Sequence, residues 1–221
     1  SDHGKTSSLL KQIGAFDKIE SNAREALSSA QLVVIDGPIA ETRSLMQIVA
    51  DHVESGAVVT DTGTSKVRTA AWANEFLPNN VGYVGGRPIV KKAFEGIESS
   101  NAEAFRGGQY CLMPTESADE QAIKTVVGMV EALGAKPYFL DPVEHDSYSS
   151  AMDILPTVIS AAFVNATTGG DSWREMHKTA GIPFDGQSQL SSDDPIDAET
   201  QCLTVSEPLV HWIDQMILSL H

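Results

Sequence analysis

The sequence predicts an α/β fold: an open, mostly parallel sheet in the first two-thirds of the chain, then an all-helical part. Three observations carry this. Short apolar runs, each stopped by Gly, Pro or Asp, recur between residues 31 and 140. Stretches with helical periodicity separate them, and strands alternating with helices imply parallel order. After Asp141 the short runs cease and only helical patterns remain.

Taken in order, "QLVVID" at 31–36 is a buried strand closed by Gly37 and Pro38. "AETRSLMQIVADHVE" at 40–54 places Leu45, Ile48, Val49 and Val53 on one helical face. "GAVVTD" at 56–61 is the second strand, and a helix follows from Lys66 to Phe76, closed by Pro78. "VGYVG" at 81–85 and "QYCLM" at 109–113 are the third and fourth strands. "ADEQAIKTVVGMVEALG" is an amphipathic helix with acids in its first turn and a stop at Gly134. "KPYFL" at 136–140 is the fifth strand.

Asp141 and Pro142 then read as an N-cap and first helical position. One long helix is predicted from there to Thr168, kinked at Pro156. Its second half, "ILPTVISAAFVNA", is apolar almost all round and predicts burial against other helices or a second subunit. Residues 181–195, rich in Gly, Pro, Ser and Asp, read as a loop. The tail from Ile196 to Leu220 reads as helical, with a kink or break at Pro208. The boundary falls near residue 142, giving an α/β domain over 1–141 and a helical domain over 142–221. A homodimer is expected, formed mainly by residues 147–168 and 196–220.

The 221 residues carry a formal net charge of −15, which argues against a broad nucleic-acid or anionic-membrane surface. No apolar stretch reads as approaching the roughly 20 residues that cross a bilayer. Cys111 and Cys202 lie far apart without metal spacing and read as reduced thiols in a cytoplasmic protein. The six histidines show no metal spacing either, and no metal site is expected. "GKTS" at 4–7 lacks the upstream strand and glycine of a phosphate loop.

Against this acidic background, "VGGRPIVKK" gathers Arg87, Lys91 and Lys92 just past a strand end. "TDTGTSK" at 60–66 sets Thr62, Thr64, Ser65 and Lys66 where a strand C-terminus meets a helix N-terminus. Ligands of open α/β sheets sit at such places, although Thr64 or Ser65 could simply cap the helix. The Gly-x-Gly-x-x-Gly that holds a dinucleotide pyrophosphate does not occur in residues 1–221.

"VVIDGP", "TDTGTSK", "VGGRP", "LMPTE" and "VEALGAKPYFLDPVEHD", with "LPTVISAAFVNA" and "SWREMHKTAG", resemble the prephenate/arogenate dehydrogenase family over residues 8–180. The resemblance implies a Rossmann-like domain, here truncated at its glycine-rich first βαβ segment, and a helical dimerisation domain with the active site between them. It implies NAD or NADP as cofactor, facing Gly37, Pro38, Thr62 and Gly63. The implied reaction is oxidative decarboxylation of prephenate or arogenate in tyrosine biosynthesis. The family's Gly-Gly-His-Pro reads Gly85, Gly86, Arg87, Pro88 here, and Lys91 and Lys92 replace small residues. Its Ser-His-Leu-Pro-His reads Asp153, Ile154, Leu155, Pro156, Thr157, so the expected catalytic histidine falls on Ile154 and the catalytic residue is unassigned. Its substrate-binding arginine falls on Lys178, while Thr64 and Lys66 keep their motif. Substrate contacts are thus expected from Thr64, Lys66, Arg87, Lys91, Lys92, Asp153, Thr157 and Lys178, with Arg87, Lys91, Lys92 and Lys178 forming a cationic pocket for a small anion. A positioned acid–base group contributes 10²–10⁴-fold. Its loss leaves a second reading, a non-catalytic dimeric anion-binding or regulatory relative; the missing glycine-rich segment leaves a third, a fragment whose N-terminal segment lies outside the sequence, which would not explain the histidine and arginine replacements.

Overall fold

The computed structural model describes residues 9–10, 12–14, 16–90, 101–189 and 194–221. After α1 (Ala23–Leu27), β1 (Leu32–Ile35) leads into α2 (Ile39–His52), β2 (Val58–Asp61) into α3 (Lys66–Phe76), and β3 (Gly82–Ile89) follows. β4 (Gln109–Pro114), α4 (Glu120–Ala132) and β5 (Lys136–Phe139) complete the sheet, whose order is β1-β2-β3-β4-β5. Every pair is parallel except β3 with β4.

Helices sandwich the sheet. One apolar cluster joins Val33, Ile35, Val59 and Tyr83 to Met46 and Val49 of α2 and Ala73 of α3. The other joins Val58, Val84, Tyr110 and Leu112 to Ala122, Val126 and Val130 of α4. Asp119 caps α4 through the Ala122 amide, and Gly134 ends it at φ +72°, a left-handed conformation that suits glycine. The buried face of α2 is rotated by one position from the expected one: Met46 is buried while Ile48 is exposed. β3 runs four residues past the expected end, so Arg87 lies in the strand, opposite Cys111, and not in a loop. Pro88 lies past the last β2–β3 pair at Gly85, so β3 is a one-sided edge there, paired only with β4, where Pro88 stands opposite Tyr110.

Asp141 caps the next helix, as expected, by accepting from the Val143 and Glu144 amides. α5 (Pro142–Ser149) passes through a π-turn (Ser150–Ile154) into α6 (Leu155–Thr168) without interruption. The π-turn is how the helix takes in Pro156. A proline ring clashes with the carbonyl four residues back; here the helix widens, and the Leu155 amide reaches Ser150 O, five residues back.

α7 (Trp173–Met176), a 3₁₀ turn (His177–Thr179), α8 (Ile182–Ser188), α9 (Pro195–Thr204) and α10 (Ser206–Leu220) follow. The expected loop at 181–195 is thus partly helical. Pro183 sits at the start of α8, and Phe184 stacks at 5.4 Å on both Phe163 and Trp173. The tail breaks at Val205, not Pro208, because proline is tolerated in a first helical turn. Val205 and Leu209 pack on Ile154, tying α10 to the π-turn.

The continuous helix over Pro142–Thr168 is, by length and composition alone, apolar enough to cross a bilayer, contrary to the sequence expectation. Its first half is held to α3 by a buried carboxylate, and among the described residues its second half buries only Ser160.

Candidate active-site crevice and its supporting network

The C-terminal end of β2 meets the glycine pair of β3. A Cβ on Gly86 would lie 2.6 Å from Asp61 O and 2.8 Å from Thr60 Oγ1, so only glycine fits there. That closeness seals a polar knot. Asp61 Oδ2 accepts from Lys66 Nζ at 2.5 Å and from the Gly63 amide at 3.0 Å. Asp61 Oδ1 accepts from Tyr83 OH at 2.6 Å, and Lys66 Nζ also donates to Gly86 O at 2.7 Å. Neither charged side chain is exposed. Burial pushes the Lys66 amine below its ordinary range, and the Asp61 carboxylate opposes that. Burial, and then Asp61, push the Tyr83 phenol well above 10. Lys66, expected to touch substrate, is therefore turned inward and occupied.

A second carboxylate joins the sheet to the helices. Asp146 of α5 is buried and caps α3 from 80 residues away. It accepts from the Lys66 amide (2.7 Å), the Val67 amide (3.1 Å) and Ser65 Oγ (2.9 Å), and His145 Nδ1 lies 3.0 Å away. An unpaired carboxylate in this position would be costly to bury; here its lone pairs are filled by groups that a helix start leaves orphaned.

Beside this junction lies the crevice. An Arg87 terminal nitrogen donates to Asp153 Oδ2 at 3.4 Å, across from the sheet to the π-turn, and Ser149 Oγ donates to the same oxygen at 2.9 Å. Among the described residues Arg87 Nε is buried without a partner. Burial pushes the Cys111 thiol up, and Arg87 then opposes the shift. Asp153 also borders a cavity of about 350 Å³ with Ile154, Thr157, Asp194, Asp197 and Gln201 on its walls. Among the described residues its charged lining is acidic: Asp153, Asp194 and Asp197.

The expected residues thus divide. Arg87 and Asp153 meet, and Ile154 and Thr157 line the adjoining cavity. Thr64 is half-buried on the β2–α3 turn. Lys178 is exposed and paired with Glu175 at 2.7 Å, so it does not join Arg87. Lys91 and Lys92 lie outside the described residues. Gly37 and Pro38 lead from β1 into α2, where Pro38 takes the N-cap position. The Thr62 hydroxyl bonds Asp36, and the Gly63 amide bonds Asp61. These four sit at neighbouring strand ends, as one wall of a nucleotide site would. Among the described residues no glycine turn for a pyrophosphate accompanies them. Asp61 and Asp146 were missed from sequence: Asp146 caps a helix start 80 residues away, and Asp61, though near Gly63 and Lys66 in sequence, also binds Tyr83 of the next strand. Among the described residues there is no cluster of metal-ligating side chains.

Residues 1–139 match the family model described as prephenate dehydrogenase, nucleotide-binding domain. Prephenate dehydrogenase of Bacillus subtilis is 24% identical over 157 residues, 71% of this chain and 42% of that protein. Cyclohexadienyl dehydrogenase of Zymomonas mobilis is 23% identical over 153 residues, 69% of this chain and 52% of that protein. The chain therefore spans about half the length of these relatives. Among solved structures, prephenate dehydrogenase of Aquifex aeolicus, in complex with hydroxyphenyl propionate and NAD+, superposes with a TM-score of 0.90 at 22% identity. That match covers all of this chain and 77% of the other. Synechocystis arogenate dehydrogenase gives 0.81 at 23% identity, covering 99% and 78%. The fold is shared through the helical part, and with well over half of its length under the nucleotide-binding model the chain belongs to the prephenate dehydrogenase family.

Proposed function

We propose that this chain carries the substrate side of an NAD(P)-dependent oxidoreductase acting on prephenate or arogenate, the reaction being oxidative decarboxylation. The observation that carries this is the crevice where Arg87 of β3 meets Asp153 of the π-turn, at two motif positions of the family. Arg87 is the cation suited to a substrate carboxylate, because its guanidinium can grip both oxygens. Asp153 is then a placeholder that a substrate anion displaces.

One feature favours a second reading, a non-catalytic anion-binding or regulatory relative. The family's motif histidines fall on Arg87, Ile154 and Thr157, and Ile154 is 3% exposed. No imidazole occupies these positions, so any turnover by this chain is expected to be 10²–10⁴-fold below that of an enzyme with a positioned acid–base group.

Incubating the protein with NAD or NADP and prephenate or arogenate, and following absorbance of the reduced nucleotide, tests the first reading. Slow substrate-dependent reduction is expected. A nucleotide at 100 times its Kd should also add about 2.7 kcal/mol of stability. No reduction and no thermal shift with either nucleotide selects the second reading.

The exposed apolar residues of the helical part support a homodimer: Met152, Ile196, Leu203 and Leu218 are all exposed, and α6 buries only Ser160. A sedimentation mass of twice 23.6 kDa is expected, and a lone 23.6 kDa species would remove this part of the proposal. Free thiols at Cys111 and Cys202 suit a reducing cytoplasm.

A further inference from the structure

We infer a second small-molecule site, separate from the Arg87 crevice, for a monocarboxylate with an apolar body. It is a cavity of about 600 Å³ between the first turn of α3, the outer side of α5 and the start of α10. Its lining shares no residue with the crevice cavity.

Three features point to a ligand. First, Arg68, an exposed residue, is on the cavity wall and has no hydrogen-bond or ion-pair partner among the described residues, in a chain with fifteen excess negative charges. His211 adds a second potential donor on the same wall. Second, apolar side chains that would ordinarily be covered stand open around it: Val67 is 42% exposed and Val143 67%. Pro208 continues that wall. Third, the volume and mixed lining are those of sites at domain junctions, where a mainly apolar wall carries a few convergent polar groups. The acids present do not fill the cationic role's demand. Asp146 is already saturated by Ser65, two amides and His145, and Glu207 lies on the α10 side.

A carboxylate on Arg68 with its body against Val67 and Val143 would touch both halves of the molecule next to the Asp146 cap. Binding there would hold α3 and α5 together, and does not depend on the proposed activity.

Calorimetric titration with hexanoate tests it, with hexylamine as the charge-reversed control. Saturable binding of hexanoate and none of hexylamine is expected. Arg68→Ala should weaken hexanoate at least tenfold, and Val143→Asp, a change at an exposed position, should do the same. Arg87→Ala should leave it unchanged. No saturable binding to the unaltered protein overturns the site, as does binding that survives Arg68→Ala. Weakening by Arg87→Ala, alone or with Arg68→Ala, assigns the binding to the crevice and also overturns it.

Discussion

Two charge clusters lie side by side at the end of the sheet, and they are built to opposite standards. In the junction, Asp61, Lys66 and Asp146 are buried and their polar atoms are met by short, convergent bonds. In the crevice, Arg87 reaches Asp153 at 3.4 Å with one nitrogen, Nε has no partner among the described residues, and the Asp153 side chain is 42% exposed. The junction fixes how the sheet sits on the helices. The crevice holds charges loosely enough for a ligand to reorganise them.

The largest effect should come from unbalancing the junction. Lys66→Met leaves the Asp61 carboxylate buried without its cation, a change that costs about 3–5 kcal/mol. Urea unfolding should show it as a lower midpoint at unchanged slope. Adding Asp61→Asn should recover part of the loss, because neutralising both partners removes the stranded charge. If Lys66→Met alone is harmless, the junction is no more demanding than the crevice and the contrast fails.

How much of this was readable beforehand depends on which partners are local. The span Lys66–Phe76 was legible because its start and its stop at Pro78 are written within a few residues. Asp141 as a cap was legible for the same reason. Lys66 itself was misread as a ligand contact. A lysine in a first helical turn looks solvated until Asp61 and the Gly86 carbonyl close over it, and only the tertiary fold brings Gly86 there. α8 was hidden behind Gly, Pro and Ser because Phe184 gains its partners, Phe163 and Trp173, from other helices. Arg87 was placed after the strand because two glycines looked like a stop; Gly86 instead lets β3 run close beside the end of β2, and Gly85 lies against Lys66 and Met113.

Alkaline titration should separate the network from the surface next. Burial, with Asp61 and then Asp36 adding, pushes the Tyr110 phenol up to about 12, and Tyr83 also ionises well above 10. A phenol whose folded value lies above its unfolded one contributes stability below the unfolded value and loses it as pH climbs through the folded one. For Tyr110 the window is pH 10 to about 12, and the shift corresponds to roughly 2–3 kcal/mol. Absorbance at 295 nm should show Tyr110 and Tyr83 ionising late or only on unfolding. Ordinary titration of both near pH 10 would mean that the junction is open to water.

Asp146→Asn should follow. The amide keeps the shape of the cap but presents an N–H₂ to one of the two α3 amides, leaving a buried donor unmet at about 1–3 kcal/mol. Hydrogen exchange should rise selectively at Lys66 and Val67, whose amides the carboxylate now holds. Uniform loss of protection across the molecule would show that Asp146 supports general stability and does not cap α3 in particular.

The smallest effect belongs to the crevice, and its smallness is the point. Arg87 and Asp153 are partly exposed, so their attraction is screened by water and salt, and pairs of this kind contribute about 0–1 kcal/mol. Arg87→Ala, Asp153→Ala and the double variant should therefore give a coupling below about 1 kcal/mol, shrinking as salt is added. Asp153→Ala should do something more. It frees the guanidinium from its internal carboxylate, so a small dianion titrated against this variant should bind more tightly than to the unaltered protein, and Arg87→Ala should abolish that gain. A coupling of several kcal/mol, independent of salt, would make the pair as structural as Lys66 with Asp61. The crevice would then be a second junction and not a place where a ligand enters.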